Sequence, residues 1–321
     1  MAPTYFVPRP ELSKTIIKSF SSRKRLLVRA PFGAGRATLV THALKSEGVE
    51  VHVVDLRHIF QPRDLSAAFA ATGLGVGVNS VLAAIDARAL TKPVALVLRD
   101  IDGCVGAKDE STIVGSLRSD MQAVHNAGIF YTASDEGFLT RNFSHPMGSF
   151  FKQAVFFDLP LFSPTDIDTW AYHLTGQFLA GNVRTFTISC CGLLPANLEV
   201  LLNRLLAARK TQPETASSSG PFTLDEVLAS MQSIQHERSH LYENFLRCFL
   251  TPPQRAVLSA IARGFPIKAT REIQAASGVS VASMSKIIER LTDIKVLDRA
   301  GGLNVFVDPF LRFHLANPGS K

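Results

Sequence analysis

The chain has 321 residues, of which 46% are hydrophobic and 19% charged, with a formal charge of +7 and a pI near 9.4. That length admits two domains and a small third around a sizeable core, and the positive balance favours an anionic partner. No apolar run approaches the roughly 20 residues of a membrane span and the N-terminus lacks a signal-peptide pattern, so a cytosolic or nuclear protein with no membrane partner is expected.

Cys104, Cys190, Cys191 and Cys248 show no paired metal-ligand spacing and read as reduced, mostly core residues. The charge sits at the ends. Residues 1–29 hold seven bases against one acid, and residues 251–321 hold ten bases against five acids.

Near the start, Pro10 opens an amphipathic helix to about Phe20, with Leu12, Ile16, Ile17 and Phe20 on one face. The polar turn Ser21-Ser22-Arg23-Lys24-Arg25 delivers the chain to a first strand at Leu26. A glycine-bearing loop follows, and Thr38 to Ser46 is helical. Val51 to Asp55 is a second strand; helical patterns run from about Asp64 to Ala71 and from Asn79 to Leu90, on either side of Gly73 to Gly77. Val94 to Leu98 is nearly all apolar, as befits a parallel strand buried on both faces. Ile129 to Ser134 and Ala154 to Leu159 supply two more strands. Strands alternating with helices at these spacings predict an α/β domain with a parallel sheet.

The chemistry-bearing stretch is the first loop. A working phosphate-binding P-loop reads G-x-x-x-x-G-K-[ST]: its backbone N–H groups close round phosphates, the lysine reaches the outer phosphates and the hydroxyl ligates Mg²⁺. Here the four signature places hold Ala30, Gly35, Arg36 and Ala37. Gly33, Ala34 and Gly35 keep the loop able to meet a phosphate, Arg36 offers a wider cationic fork than lysine, and Thr38 offers a displaced hydroxyl. The strand ending Arg99-Asp100-Ile101-Asp102 stands where such enzymes carry a metal-holding acid. One register puts Arg99 at the metal acid and Asp100 at the catalytic glutamate. The other makes Asp100 the metal acid. Thr38, Asp100 and Asp102 are the candidate metal ligands, and Asp100 is the candidate catalytic residue. Ser134, at the polar end of its strand, is a candidate phosphate contact, and Arg141 is weighed as a trans-acting arginine against a solvated loop residue.

From Ser163 helices take over: Pro164 to Leu174, Leu193 to Ala208, an exposed loop at 210–220, and Thr223 to Arg238 behind a capping box completed by Glu226. The last seventy or so residues read as a winged helix-turn-helix. Its helices are Pro252 to Arg263, Thr270 to Ala276 and Val281 to Leu291, and a hairpin follows with strands at 295–299 and 303–307. On the third helix Ser283, Ser285, Lys286 and Arg290, with Arg299 on the wing, face DNA; Ile287, Ile288 and Leu291 face inward. Such modules also bind proteins.

This order of parts resembles the P-loop ATPases of the AAA+ and STAND groups that end in a winged helix, especially archaeal-type ATPases and origin-recognition ATPases. The resemblance is carried by Phe6-Val7-Pro8-Arg9-Pro10-Glu11-Leu12, Val53-Val54-Asp55-Leu56-Arg57, Gly192-Leu193-Leu194-Pro195 and Val307-Asp308-Pro309-Phe310-Leu311-Arg312-Phe313. It implies an AAA+-like α/β domain over 1–162, a helical lid over 163–245 and a winged helix over 246–321. In that frame Ser134 stands at the position called sensor 1. ATP or ADP is the implied ligand, bound by Gly33, Ala34, Gly35, Arg36, Ala37, Thr38, Arg99 and Ser134. The departures at Ala30, Arg36, Ala37 and Arg99 keep Mg²⁺ and hydrolysis from carrying over. The expectation is a degenerate ATPase that binds double-stranded DNA within an assembly of protein partners or other ATPase subunits. The alternatives are an origin-recognition-like subunit in replication, an active signalling switch in which Thr38 and Asp100 or Asp102 rescue the metal, and a scaffold with an empty loop.

Overall fold

Five parallel strands in the order β2-β3-β4-β1-β5 organise the first half of the protein, seen in a computed structural model that describes residues 6–211, 220–268, 270–294, 296–300 and 303–317. The chain divides into two compact units, Met1–Leu161 and Phe162–Lys321.

In the first unit the elements follow as α1 (Pro10–Ser21), β1 (Leu26–Arg29), α2 (Arg36–Lys45), β2 (Glu50–Asp55), α3 (Pro62–Ala70), α4 (Val78–Arg88) and β3 (Val94–Arg99). A 3₁₀ turn at Ile101–Cys104 then leads to α5 (Glu110–Gln122), β4 (Gly128–Ala133), α6 (Glu136–Leu139) and β5 (Val155–Asp158). Strand alternation sorts the core into two layers. Leu27, Leu96, Leu98, Ile129 and Tyr131 join one cluster with Leu65 and Phe69 of α3, Ile85 of α4 and Leu117 of α5. Leu26, Val28, Ala95, Val97 and Phe130 are equally buried but point to the other face, the face on which α2, backed by α1, packs. Both faces are thus covered, as the apolar strand at 94–98 required. Helix α5 is an addition to the elements expected from sequence.

The strand order matters for chemistry. β4 lies between β1, which feeds the glycine loop, and β3, which ends in Arg99. Asp100 must therefore reach across the end of β4 to meet the loop. Arg9 of the entry segment donates to the carbonyls of Pro160 (2.8 Å) and Leu161 (3.1 Å), tying the start of the unit to the exit of β5.

In the second unit come α7 (Pro164–Thr175), α8 (Gly181–Cys191), α9 (Pro195–Thr211), α10 (Leu224–Phe249), α11 (Pro252–Ala262), α12 (Arg271–Ser277), α13 (Val281–Asp293), β6 (Leu297–Ala300), β7 (Leu303–Phe306) and α14 (Pro309–Ala316). Three helices followed by the antiparallel β6-β7 pair give the winged helix-turn-helix order, with Leu297 opposite Phe306. Lys295, the glycine turn Gly301-Gly302 and most of the expected loop at 210–220 lie outside the described residues. Helix α10 is one unbroken element across the expected division at 245/246, about three turns longer than its sequence signal. The last stretch, read as a tail, includes α14. That helix packs on α8, α10 and α11, and Tyr242 of α10 donates to Asp308 at its N-cap over 2.9 Å.

Candidate phosphate loop

β1 releases the chain at Ala30, and the loop returns it as α2 within six residues. Two left-handed glycines make this possible: Gly33 at φ 83° and Gly35 at φ 82°, a region costly for residues with a Cβ. Gly35 is the N-cap of α2 and offers no side chain to the first turn. The first helical bond joins the Leu39 N–H to the Gly35 carbonyl at 2.9 Å. The N–H groups of Arg36, Ala37 and Thr38 therefore precede any helical acceptor and form the positive end of the helix dipole, the arrangement that receives anions. Ala34 is buried, whereas Thr38 is exposed on the first turn.

Arg36 does not extend outward. Its side chain is only 4% exposed and folds back under the loop: Nη1 donates to the Ala30 carbonyl and, at 2.9 Å, to the Pro31 carbonyl, while Nη2 meets Oδ1 of Asp100 at 2.7 Å. Asp100 is itself buried and held from the other side. The Thr132 hydroxyl of β4 accepts from the Asp100 N–H (2.8 Å) and donates to Asp100 Oδ1 (3.2 Å). Asp100 adopts a left-handed backbone at φ 54°, which aspartate tolerates better than most residues. The guanidinium is thus a cross-brace between the loop and the end of β3.

Arg99 stands beside this brace, half-exposed, 3.8 Å from Asp100 Oδ2 and 3.6 Å from Asp55 Oδ2. Asp55 also receives Arg57, and that guanidinium holds its carboxyl below the ordinary aspartate value. A chain of alternating charge, Arg36, Asp100, Arg99, Asp55 and Arg57, runs along the C-terminal ends of β3 and β2. Asp102 is equally committed. Its Oδ2 accepts from the Ser134 N–H (2.7 Å), the Ser134 hydroxyl (3.0 Å) and the Asp135 N–H (2.6 Å). Ser134 and Asp102 are therefore each other's partners across β4 and the 3₁₀ turn. Arg141 lies in a π-helical turn, Thr140–Ser144, and pairs with Glu110 at 2.9 Å.

On α13, Ser283, Ser285, Lys286 and Arg290 are all exposed, while Met284 and Leu291 are buried and Ile287 and Ile288 half-buried. The Ser280 hydroxyl caps this helix through the Ser283 N–H. Arg299 is a β6 residue opposite Asn304, but its side chain lies outside what is described.

No protein-family model and no curated protein matches the sequence. Solved structures do. The Walker-type ATPase PABY2304 of Pyrococcus abyssi superposes with a TM-score of 0.67 at 12% identity, covering 97% of this chain and 96% of that one. The ORC1 protein of Aeropyrum pernix, in complex with DNA, gives 0.56 at 14% identity over 99% and 94% of the two chains. The Aeropyrum pernix ORC2 protein, in its ADPNP-ADP complexes, gives 0.56 at 14% over 98% and 94%. The chain has the fold of the AAA+ P-loop ATPases.

Within that AAA+ fold the residues present do not fit a magnesium nucleotide. The lysine place holds a guanidinium already bonded on three sides, the hydroxyl place holds Ala37, and the acid able to hold a metal, Asp100, is neutralised by Arg36. What remains open to an anion is the first turn of α2. Sequence reasoning singled out Arg36 and Asp100 separately and missed Thr132, the hydroxyl that orients the carboxylate. Its signal was a lone polar residue in an otherwise apolar strand, Ile129-Phe130-Tyr131-Thr132-Ala133.

Proposed function

We propose that this protein is a catalytically silent member of the AAA+ group that binds double-stranded DNA through α11–α13 and the β6-β7 wing, as one subunit of a larger assembly. ATP or ADP binds weakly and is not turned over. The observation that carries this reading is the buried Arg36–Asp100 pair, which occupies from within the ground that a lysine, a metal and the outer phosphates would share. The polar outward face of α13 supports the DNA reading, as does the likeness to a fold-mate solved with DNA. No residue is assigned the role of nucleophile activation, because both carboxylates of the 100–102 stretch are bonded elsewhere.

Calorimetry with ATP and ADP, in Mg²⁺ and then in EDTA, tests the nucleotide half, with a turnover assay beside it. The expected result is weak binding indifferent to EDTA and no phosphate release. Tight Mg²⁺-dependent binding with turnover lost in Asp100→Asn would establish the active switch instead. For the DNA half, fluorescence anisotropy with a labelled duplex should show affinity falling steeply with salt. Lys286→Ala/Arg290→Ala should lower the log–log slope by roughly 1.8, about 0.9 for each phosphate no longer neutralised. Salt-insensitive or undetectable binding would favour the protein scaffold.

A further inference from the structure

The edge of the sheet opposite the phosphate loop carries a second feature. Because all five strands are parallel, their N-terminal ends share one edge. At the entrances of the adjacent strands β1 and β5 stand Arg23, Lys24 and Lys152, all exposed. The parallel register pairs Leu26 with Val155, and Arg25 reaches Gln153 at 3.3 Å, so the segments 23–25 and 152–154 run side by side. Lys18 in the last turn of α1 and Arg118 near the end of α5 are also exposed; Arg25 donates to the Met121 carbonyl, bringing the end of α5 to the same edge.

The backbone that carries these bases is held there. The Ser19 hydroxyl donates to the Lys24 carbonyl (2.9 Å) while the Lys24 N–H donates to the Ser19 carbonyl (3.0 Å), closing the turn that presents Ser21, Ser22, Arg23 and Lys24. Arg23 at φ 52° and Lys152 at φ 57° are two of four non-glycine residues with left-handed backbone among those described, a conformation that needs support from its surroundings. Among the described residues, Lys18, Arg23, Lys24, Arg118 and Lys152 enter no ion pair. By contrast Lys92 and Arg88, near the entrance of β3, are both spent on Glu50. Asp86 is occupied by the N–H groups of His125 and Asn126. Asp120, half-buried in the last turn of α5 and bonded to Ser116, is the acid on this side of the edge.

We infer that this edge is a second docking surface for the phosphate backbone of a nucleic acid, distinct from the winged helix. Exposed guanidinium and ammonium groups on a hydrogen-bonded backbone, beside the exposed Ser21 hydroxyl, are the chemistry that positions phosphates without reading bases. An anionic membrane shares the charge, but the large apolar side chains exposed beside the patch, Val155 and Phe156, belong to a sheet strand and not to the apolar face of a helix that inserts into lipid. The partner class rests on the proposed DNA function, and the experiment separates the two.

The full chain carrying Arg23→Gln/Lys24→Gln/Lys152→Gln is compared with wild type and with Lys286→Ala/Arg290→Ala by anisotropy on a labelled random-sequence duplex. The triple variant should lower the salt slope by about 2.7, roughly 0.9 for each phosphate left without its cation, with Kd raised at least about tenfold. In wild type, bound duplex should protect Lys24 and Lys152 from acylation, a readout that stands even where the variant folds poorly. An unchanged slope in a folded variant, or unprotected lysines, overturns the inference while leaving the winged-helix reading intact. Loss in the triple variant alone overturns that reading and leaves this one. No duplex binding by wild type ends both, and capture by phosphatidylserine vesicles through these residues without any duplex effect assigns the surface to membranes.

Discussion

Arg36 shows how one residue can brace a fold. Lysine at the same place carries a compact charge on a flexible stem; the arginine fork can satisfy two carbonyls and a carboxylate together. Removing it leaves Asp100 buried and unpaired, so Arg36→Ala should cost about 3–5 kcal/mol in denaturant unfolding. Arg36→Met/Asp100→Asn should recover much of that loss, with a coupling of about 2–3 kcal/mol between the sites; additive losses would show that the pair does not act as a unit. Asp102→Ala strands two amides and a hydroxyl at the end of β4 and should cost about 2–3 kcal/mol. The replacements at Arg36 and Arg99 were plain in the sequence because they break a spaced pattern. Their partners were not, since the Arg36 bond spans 64 positions and depends on β4 inserting between β1 and β3, an order that periodicity does not encode.

Helix α10 gives the corresponding lesson for an element. Its start was legible: Thr223 and Glu226 form the expected capping box, with the Glu226 N–H donating to the Thr223 hydroxyl and the Thr223 N–H to Glu226. The clamp that completes it was not. Arg209 of α9 forks onto both Glu226 oxygens, at 2.7 and 2.9 Å, and lies 3.9 Å from the centre of the Phe222 ring. The Arg209 hydrogen bond holds the Glu226 carboxyl below its ordinary 4.5. A carboxylate depressed in the folded state stabilises it above the unfolded pKa and loses that contribution as pH falls through the lower folded value. Glu226→Gln should therefore cost about 2 kcal/mol at neutral pH, and the two proteins should converge below pH 4.5; a gap that persists in acid would place the effect in packing. Helix α8 was missed for the opposite reason. Val183, Thr185, Thr187 and Ile188 favour a strand by propensity, and packing against α9, α10 and α14 overrides it.

For the whole molecule, class and order of parts were readable because glycine loop, apolar strands and capping signals are local, whereas the length of α10 and the docking of α14 depend on tertiary contacts. The braced loop has a consequence for regulation. A ligand shifts an equilibrium only by its differential affinity for the two states, and coupling between two sites is reciprocal. In a working loop, phosphate and metal would lie between the ends of β1 and β3, so nucleotide would bias how those ends sit. Here those ends are already joined by Arg36, Asp100 and Thr132, so the braced state needs no nucleotide. Duplex affinity measured in ATP, in ADP and in EDTA without nucleotide should therefore agree within about twofold, below the roughly fivefold at which allosteric coupling usually begins. Arg36→Lys/Ala37→Thr restores the lysine and hydroxyl of a working loop and frees Asp100 from its guanidinium. That variant should bind nucleotide in a Mg²⁺-dependent way at least about tenfold tighter, a gain of roughly 1.4 kcal/mol. If wild-type DNA affinity already moves fivefold with ATP, the brace opens in solution and the protein is a switch.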